Sequence, residues 1–326
     1  MLAYAARRIL LLLPTLLGMA IATFFLLLLI PGDPARMLLG ADASADAVAQ
    51  MRVNLGLNLP WHVRLGRYLL GLLHGDLGRS IFESQSVARL IVDRLGATVE
   101  LAVAAMLVAL VLGIGLGVIA AVWRGRIADM FAMFVAQVGV SMPVYWLGIM
   151  LVLAFAVQLN WLPAIGRGPS MLDALAALPT GDTMPLGRAF AHIVLPAFAL
   201  GIGAAAIISR VVRASLLDTL GADFVRTGYA KGLHPARVVL VHALSNAMLP
   251  IISVIGLRFG ALLGGAVLTE TIFDWPGLGQ LVVTAMMQRD IPLVQGVVLV
   301  FALLYALTNL LVDLLYMAID PRVRLG

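Results

Sequence analysis

TVELAVAAMLVALVLGIGLGVIAAV, residues 98–122, holds a single ionisable side chain, Glu100, in 25 positions. A helix rises about 1.5 Å per residue, so about 20 mainly apolar residues cross the roughly 30 Å hydrocarbon core of a bilayer. This stretch meets that condition. Working outward from it, 9–30, 131–159, 192–208, 248–270 and 293–318 meet it too, the fourth span (192–208) being the shortest of the six. The whole chain agrees: of 326 residues 62% are hydrophobic and 12% charged, with a mean hydropathy of +1.04. A soluble domain carries about 25% charged residues, and a disordered chain carries more, so both classes are excluded. The expected fold is an all-α polytopic membrane protein with six transmembrane helices, in contact with the lipid bilayer.

Four segments follow: a cytoplasmic N-terminus and first helix (1–30), an extracytoplasmic helical segment (31–97), a five-helix core (98–318) with an inner loop at 209–247, and a cytoplasmic tail (319–326). The first span follows Arg7 and Arg8, as a signal peptide would. Its 22 residues exceed the usual apolar run of about 7–15, and PGDP (31–34) is no small-residue cleavage site, so it reads as a retained helix. Orientation rests on basic residues, which favour the cytoplasmic side. With the N-terminus inside, the inner segments hold 11 arginines and lysines in 63 positions, against 10 in 121 outside. In the outer segment, Trp61, Leu65, Leu69 and Leu72 recur at helical spacing with Arg64 and Arg67 opposite. That pattern suits the membrane interface, either packed on the bundle or docking a partner.

Several chemistries are missing. There is no cysteine, which removes disulfides and thiolate sites. Lys231 is the only lysine and lies between Ala230 and Gly232, so the chain has no phosphate-binding P-loop. No His-Glu-x-x-His occurs, and the pair His234 and His242 lacks a third ligand. No metal or other cofactor is expected on this chain, and the net charge of +5 reads as cytoplasmic loops, with no nucleic-acid partner. Ionisable residues inside spans usually face the bundle interior or a pathway. Here they are Glu100, Arg258, Glu270 and Asp313, with Glu100 and Glu270 near the outer, water-reachable ends. Arg258 lies ten residues into its span, about 15 Å deep, where it meets either an anionic solute or a structural partner. Ser141 and Pro143, in the middle of the third span, complete the candidate pathway set with Arg258 and Glu270. Pro14, Pro143 and Pro196 each remove a helical hydrogen bond. Gly113, Gly115 and Gly117, and the run Gly256, Gly260 and Gly264, offer small faces for close helix packing.

The inner loop reads DFVRTGYAKGLHP (223–235) and continues to Leu249-Pro250. It resembles the loop before the fifth span of binding-protein-dependent ABC permeases, with Gly232 and Leu249-Pro250 at the family's fixed points. Where the general family has Glu-Ala-Ala this chain has Arg226-Thr227-Gly228, a departure shared largely by the dipeptide/oligopeptide/nickel permeases. Gly228 in place of the usual alanine is a small deviation. The resemblance runs through LGLNLP (55–60), GDLGRS (75–80), ATVEL (97–101), SMPVYWLG (141–148), WLP (161–163), ETIFDWPGLG (270–279), NLLVDLLY (309–316) and DPR (320–322). The long outer segment after the first span is similar to that of the first, B-type, subunit.

The resemblance implies a type I ABC importer permease in the bacterial or archaeal plasma (inner) membrane, both termini cytoplasmic. It implies a second, C-type permease subunit, two ABC ATPase subunits that hold ATP and magnesium, and an extracytoplasmic solute-binding protein. It places ATPase coupling on Asp223, Arg226, Thr227, Gly228, Ala230, Lys231, Gly232, Leu233, His234 and Pro235, with Gly232 turning between two short helices. The solute it implies is a di- or oligopeptide, with nickel chelates and glutathione-like solutes as alternatives. A self-sufficient ion-coupled carrier is the competing class, but no buried carboxylate relay or inverted repeat stands out. No nucleophile–base or metal constellation points to an enzyme.

Overall fold

The computed structural model describes residues 2–28, 33–40 and 42–319; Ile30, PGDP's first two residues and the tail from 320, including DPR, lie outside them. In chain order the helices are α1 (Leu2–Leu28), α2 (Pro34–Leu39), α3 (Ala45–Asn54), α4 (Trp61–Leu73), α5 (Val87–Val122), α6 (Ile127–Ser141) and α7 (Val144–Leu151). A π-helical stretch, Val152–Gln158, prolongs α7. Then come α8 (Met171–Ala177), α9 (Met184–Leu220), α10 (Asp223–Ala230), α11 (Pro235–Arg237), α12 (Leu244–Asn246), α13 (Met248–Ile272), α14 (Leu278–Gln288) and α15 (Ile291–Ile319). Among the described residues the only strand-like pairing is one bridge, Arg79 to Ser86.

Four helices, α5, α9, α13 and α15, are long and apolar enough to cross a membrane, and α6 with α7 and its extension forms a pair bent by 103°. The apolar part of α1 is shorter, Leu10–Leu26. Helix α9 is the centre: 61% of its most apolar window is buried, against 33% in α5 and α13 and 22% in α15. The 192–208 span, shortest in the sequence, thus belongs to the longest helix, of 37 residues. Hydropathy reports transfer into lipid, whereas a helix continues as long as its backbone is paired. The same reason carries α5 back to Val87, so Val87, Leu90, Ile91 and Leu95, apolar at helical spacing, form the first part of one 36-residue helix.

Small residues bring α5 and α9 together. A Cβ on Gly113 would lie 2.8 Å from the Ala205 carbonyl oxygen and the Ile208 side chain, and one on Gly117 would lie 2.6 Å from Val212. Gly201 approaches the Ala105 carbonyl from the other side. Gly115 faces open space, because i and i+4 share a helix face and i+2 does not. On α13, Gly256 packs on Val312 and Gly260 on Tyr305 of α15, but Gly264 has no neighbour.

The third predicted span is not one straight helix. Met142, in extended backbone at φ −79° and ψ 126°, ends α6, as expected of a residue that precedes proline. Pro143 then opens α7. Pro14 and Pro196 sit inside continuous helices.

Helix α5 ends beside the end of α9, where Ala121 meets Leu216, so the two run parallel. Phe24 near the end of α1 shares a cavity with Ile291 and Pro292 at the start of α15, so those two run antiparallel. The start of α1 and the end of α15 therefore lie on the face that carries residues 221–247, called here the loop face.

Candidate functional site

The loop face is built by a helix stop. In α10 the Gly232 N–H donates to the Tyr229 carbonyl at 2.9 Å and the Leu233 N–H to the Gly228 carbonyl at 3.2 Å. These two bonds are a Schellman cap, which satisfies carbonyls the helix leaves unpaired and places its C′ residue in the left-handed region. Gly232, at φ +76°, occupies that position. The His234 ring then accepts from the Ala236 N–H at 3.3 Å, and Pro235 opens α11 with a φ suited to a first helical turn. The Thr227 hydroxyl donates back to the Asp223 carbonyl within α10.

One face of this loop is fixed. Val225, Val238, Val239 and Ala243 are buried against Ala121 of α5 and Leu216 of α9, with Leu233 packed beside them. The other face is free: Asp223, Arg226, Thr227, Ala230, Lys231, Gly232, His234 and Pro235 are exposed, as are Phe224 and Tyr229. Gly228 is half-buried under Val238. Arg226 and Asp223 approach to 3.7 Å but are almost fully solvated, so that pair contributes little. All ten coupling residues inferred from the sequence thus fall on one contiguous segment, and two apolar side chains, Phe224 and Tyr229, join its exposed face.

Beside the loop, Arg213 of α9 grips Asp129 of α6 with two bonds of 2.8 Å. Asp129 also accepts from the Gly125 N–H at 2.9 Å. This fork–fork pair ties the start of α6 to the end of α9.

The candidate pathway residues are not gathered into one site within this chain. Ser141 and Pro143 are exposed at the elbow, in an open concavity of about 420 Å³ lined by Val138, Met142, Tyr145 and Trp146. Arg258 is half-buried on α13, and its Nε is buried with no hydrogen-bond partner among the described residues. For Glu270 the expectation of water access is corrected: the residue is 0% exposed. Its carboxylate accepts from the Thr98 hydroxyl at 2.7 Å and from the Gly279 and Gln280 N–H groups at 2.7 and 3.1 Å. Thr98 in turn accepts from the Leu278 N–H at 2.7 Å. Glu270 is therefore the cap of α14, its carboxyl oxygens satisfying N–H groups that the helix start leaves unpaired.

The face opposite the loop carries further fastenings. Trp275, fully buried, donates from its indole to the Ala97 carbonyl at 2.8 Å, so the Trp275-Pro276-Gly277 turn is pinned to α5. Arg167 pairs with Glu100 and sits 5.9 Å over the Trp275 ring. Asp290, also fully buried, accepts from the Ser80 hydroxyl at 2.5 Å and the Ile81 N–H at 3.0 Å. Sequence reasoning missed Thr98, Arg167, Asp129 and Asp290, whose partners lie tens to hundreds of residues away. The one usable signal was a carboxylate in or beside an apolar span, which always needs donors.

A helical bundle with a rigidly capped, half-exposed loop matches two family models. Residues 113–325 match the binding-protein-dependent transport system inner membrane component, and residues 1–102 match the N-terminal part of the same kind of component. The chain belongs to this permease family. The dipeptide transport system permease protein DppB of Alkalihalophilus pseudofirmus is 44% identical over 332 residues, covering 99% of this permease and all of the relative. DppB of Escherichia coli K12 is also 44% identical, over 336 residues and 99% of both chains. The glutathione transport system permease protein GsiC of Salmonella paratyphi A is 40% identical over 324 residues and 99% of both. In fold, the permease is similar to the MetNI methionine ABC transporter in an inward-facing conformation, with TM-score 0.53 and 19% identity, covering 72% of this chain and 97% of that one.

Proposed function

We propose that this chain is the B-type permease subunit of an ATP-driven importer of short peptides. The observation that carries this reading is the Schellman-capped loop, clamped on one side to α5 and α9 and bare on the other. A rigid connection of this kind converts a push on its exposed face into a movement of the α5–α9 pair, because packed cores move as units. The pushing partner is an ATPase subunit, whose groove takes Phe224, Arg226, Tyr229 and Lys231; ATP and magnesium stay on that partner. A second, C-type permease lines the other half of the pathway, two ATPases bind the two loops, and a solute-binding protein delivers the peptide.

In this reading the chain crosses the membrane six times, α6 and α7 making one broken crossing and α1 the first. The loop face, with both chain ends, is cytoplasmic, and 31–97 is extracytoplasmic. Ser141, Pro143 and Arg258 line the pathway once the second permease encloses it. Arg258 offers its guanidinium to the solute's carboxylate. Glu270, being enclosed, holds the outer turn in place of contacting solute.

Two curated relatives handle a dipeptide and glutathione, itself a tripeptide, and uptake competition separates these solutes. The test is reconstitution: the chain co-expressed with its neighbouring permease, ATPases and binding protein should import a labelled dipeptide only with ATP present. Transport by this chain alone, driven by an ion gradient, would overturn the reading.

A further inference from the structure

Away from the loop face, the outer end of the α1–α15 pair carries a cavity of about 380 Å³ that the transport reading does not use. Helix α4 forms one wall and is placed by aromatic contacts with the end of α1: Trp61 packs on Phe25 at 5.5 Å and Tyr68 stacks on Phe24 at 6.1 Å. Three guanidinium groups, Arg64, Arg67 and Arg79, line the cavity, and no carboxylate is among its lining residues. Tyr68 also lines it, and its hydroxyl is buried with no hydrogen-bond partner among the described residues. Such a group costs free energy unless something accepts its proton. Burial raises this phenol to about 12, so at neutral pH it remains a donor. Burial also draws Arg64 below its ordinary value, as happens to a cation with no anion beside it.

The lining of the cavity names its occupant. Phe24, Ile291 and Pro292, at the ends of apolar helices, are among its lining residues. Trp61, Leu70 and Leu73 of α4, the helix that carries Arg64, Arg67 and Tyr68, are exposed, a pattern of helices that lie at a membrane surface. Three arginines and a phenol, with the neutral amides of Asn54 and Gln295 and no carboxylate, suit an anion with several acceptor oxygens.

We propose that the Arg64, Arg67, Arg79 and Tyr68 cavity binds the phosphodiester headgroup of an acidic phospholipid. The guanidiniums form charge-assisted bonds to phosphate oxygens, the Tyr68 hydroxyl donates a further one, and the acyl chains run down the exposed apolar side of α1.

The test uses the assembled transporter in nanodiscs of phosphatidylcholine doped with phosphatidylglycerol, followed by native mass spectrometry after gentle extraction. The wild type should retain phosphatidylglycerol. A variant combining R64Q, R67Q and R79Q should retain at least tenfold less, Y68F an intermediate amount, and R89Q, which removes an exposed arginine outside the cavity, as much as wild type. Equal retention in the triple variant and wild type overturns the proposal. So does thermal stabilisation of the wild type by inorganic phosphate without lipid retention, which marks a soluble-anion site. Unchanged assembly with the second permease excludes misfolding as the cause of a loss.

Discussion

Gly228 and Gly232 lie four residues apart and answer to different constraints. At Gly228 a Cβ would meet Val238 at 3.6 Å and Leu233 at 3.8 Å, ordinary contact inside a helix. Gly228→Ala should therefore raise stability by about 1 kcal/mol with uptake unchanged, as a melting curve and a transport assay would show. A side chain at Gly232 would touch nothing, yet its φ of +76° is unfavourable for any residue with a Cβ. Gly232→Val should cost about 1–2 kcal/mol locally, and uptake should fall while the chain still inserts. Undiminished transport by a correctly assembled complex would remove the loop from the coupling path. Arg258→Gln should lower peptide uptake about ten- to hundredfold, the loss of one charge-assisted hydrogen bond, with ATPase docking intact. If Arg258 were purely structural, the melting temperature would fall along with uptake. Thr98→Val strands an oxygen of Glu270 and the N–H of Leu278, at about 1–3 kcal/mol for each buried group, which thermal unfolding in detergent would detect.

Among the elements, the α5–α9 pair and the elbow show where the sequence was legible. Small residues on α5 announced close packing, and the i, i+4 rule picks Gly113 and Gly117 over Gly115 without any structure. The facing helix was not legible, because Ala205, Ile208 and Val212 look like any apolar run. Gly117→Leu should force the helices apart, costing about 1–3 kcal/mol or more from overpacking, whereas Gly115→Leu should be nearly silent. Equal melting temperatures for the two variants would refute this geometry. At the elbow, Pro143 was legible as a lost hydrogen bond, but Pro14 and Pro196 made the same sequence argument and did not break their helices. Pro196 is buried in the central helix, and Pro143 is exposed. Burial alone does not separate them, since Pro14 is exposed and its helix still runs on.

For the whole molecule, membrane character and the loop could be read from composition and spacing, because each is local. The cap on Glu270, the Asp290 bracket and the arginine pairs join distant segments, and a single sequence shows that such carboxylates need donors but not which donors they find. The parallel α5–α9 contact has a consequence for synthesis. Gly117 and its partner Val212 are far apart in the chain, with the bent α6–α7 pair and α8 between them. At about 5–20 residues per second, α5 waits roughly 5–20 s for the surface that covers its glycine face. During that interval the face belongs to lipid or to the insertion machinery. A photo-crosslinker at position 109 in ribosome-arrested chains should capture the insertase until α9 has emerged, and α9 thereafter. Intramolecular capture in chains ending before Met184 would mean that α5 finds a different, temporary partner. The most tightly joined pair of helices would then be among the last to assemble, and a nascent permease would spend its most vulnerable seconds with its future centre missing.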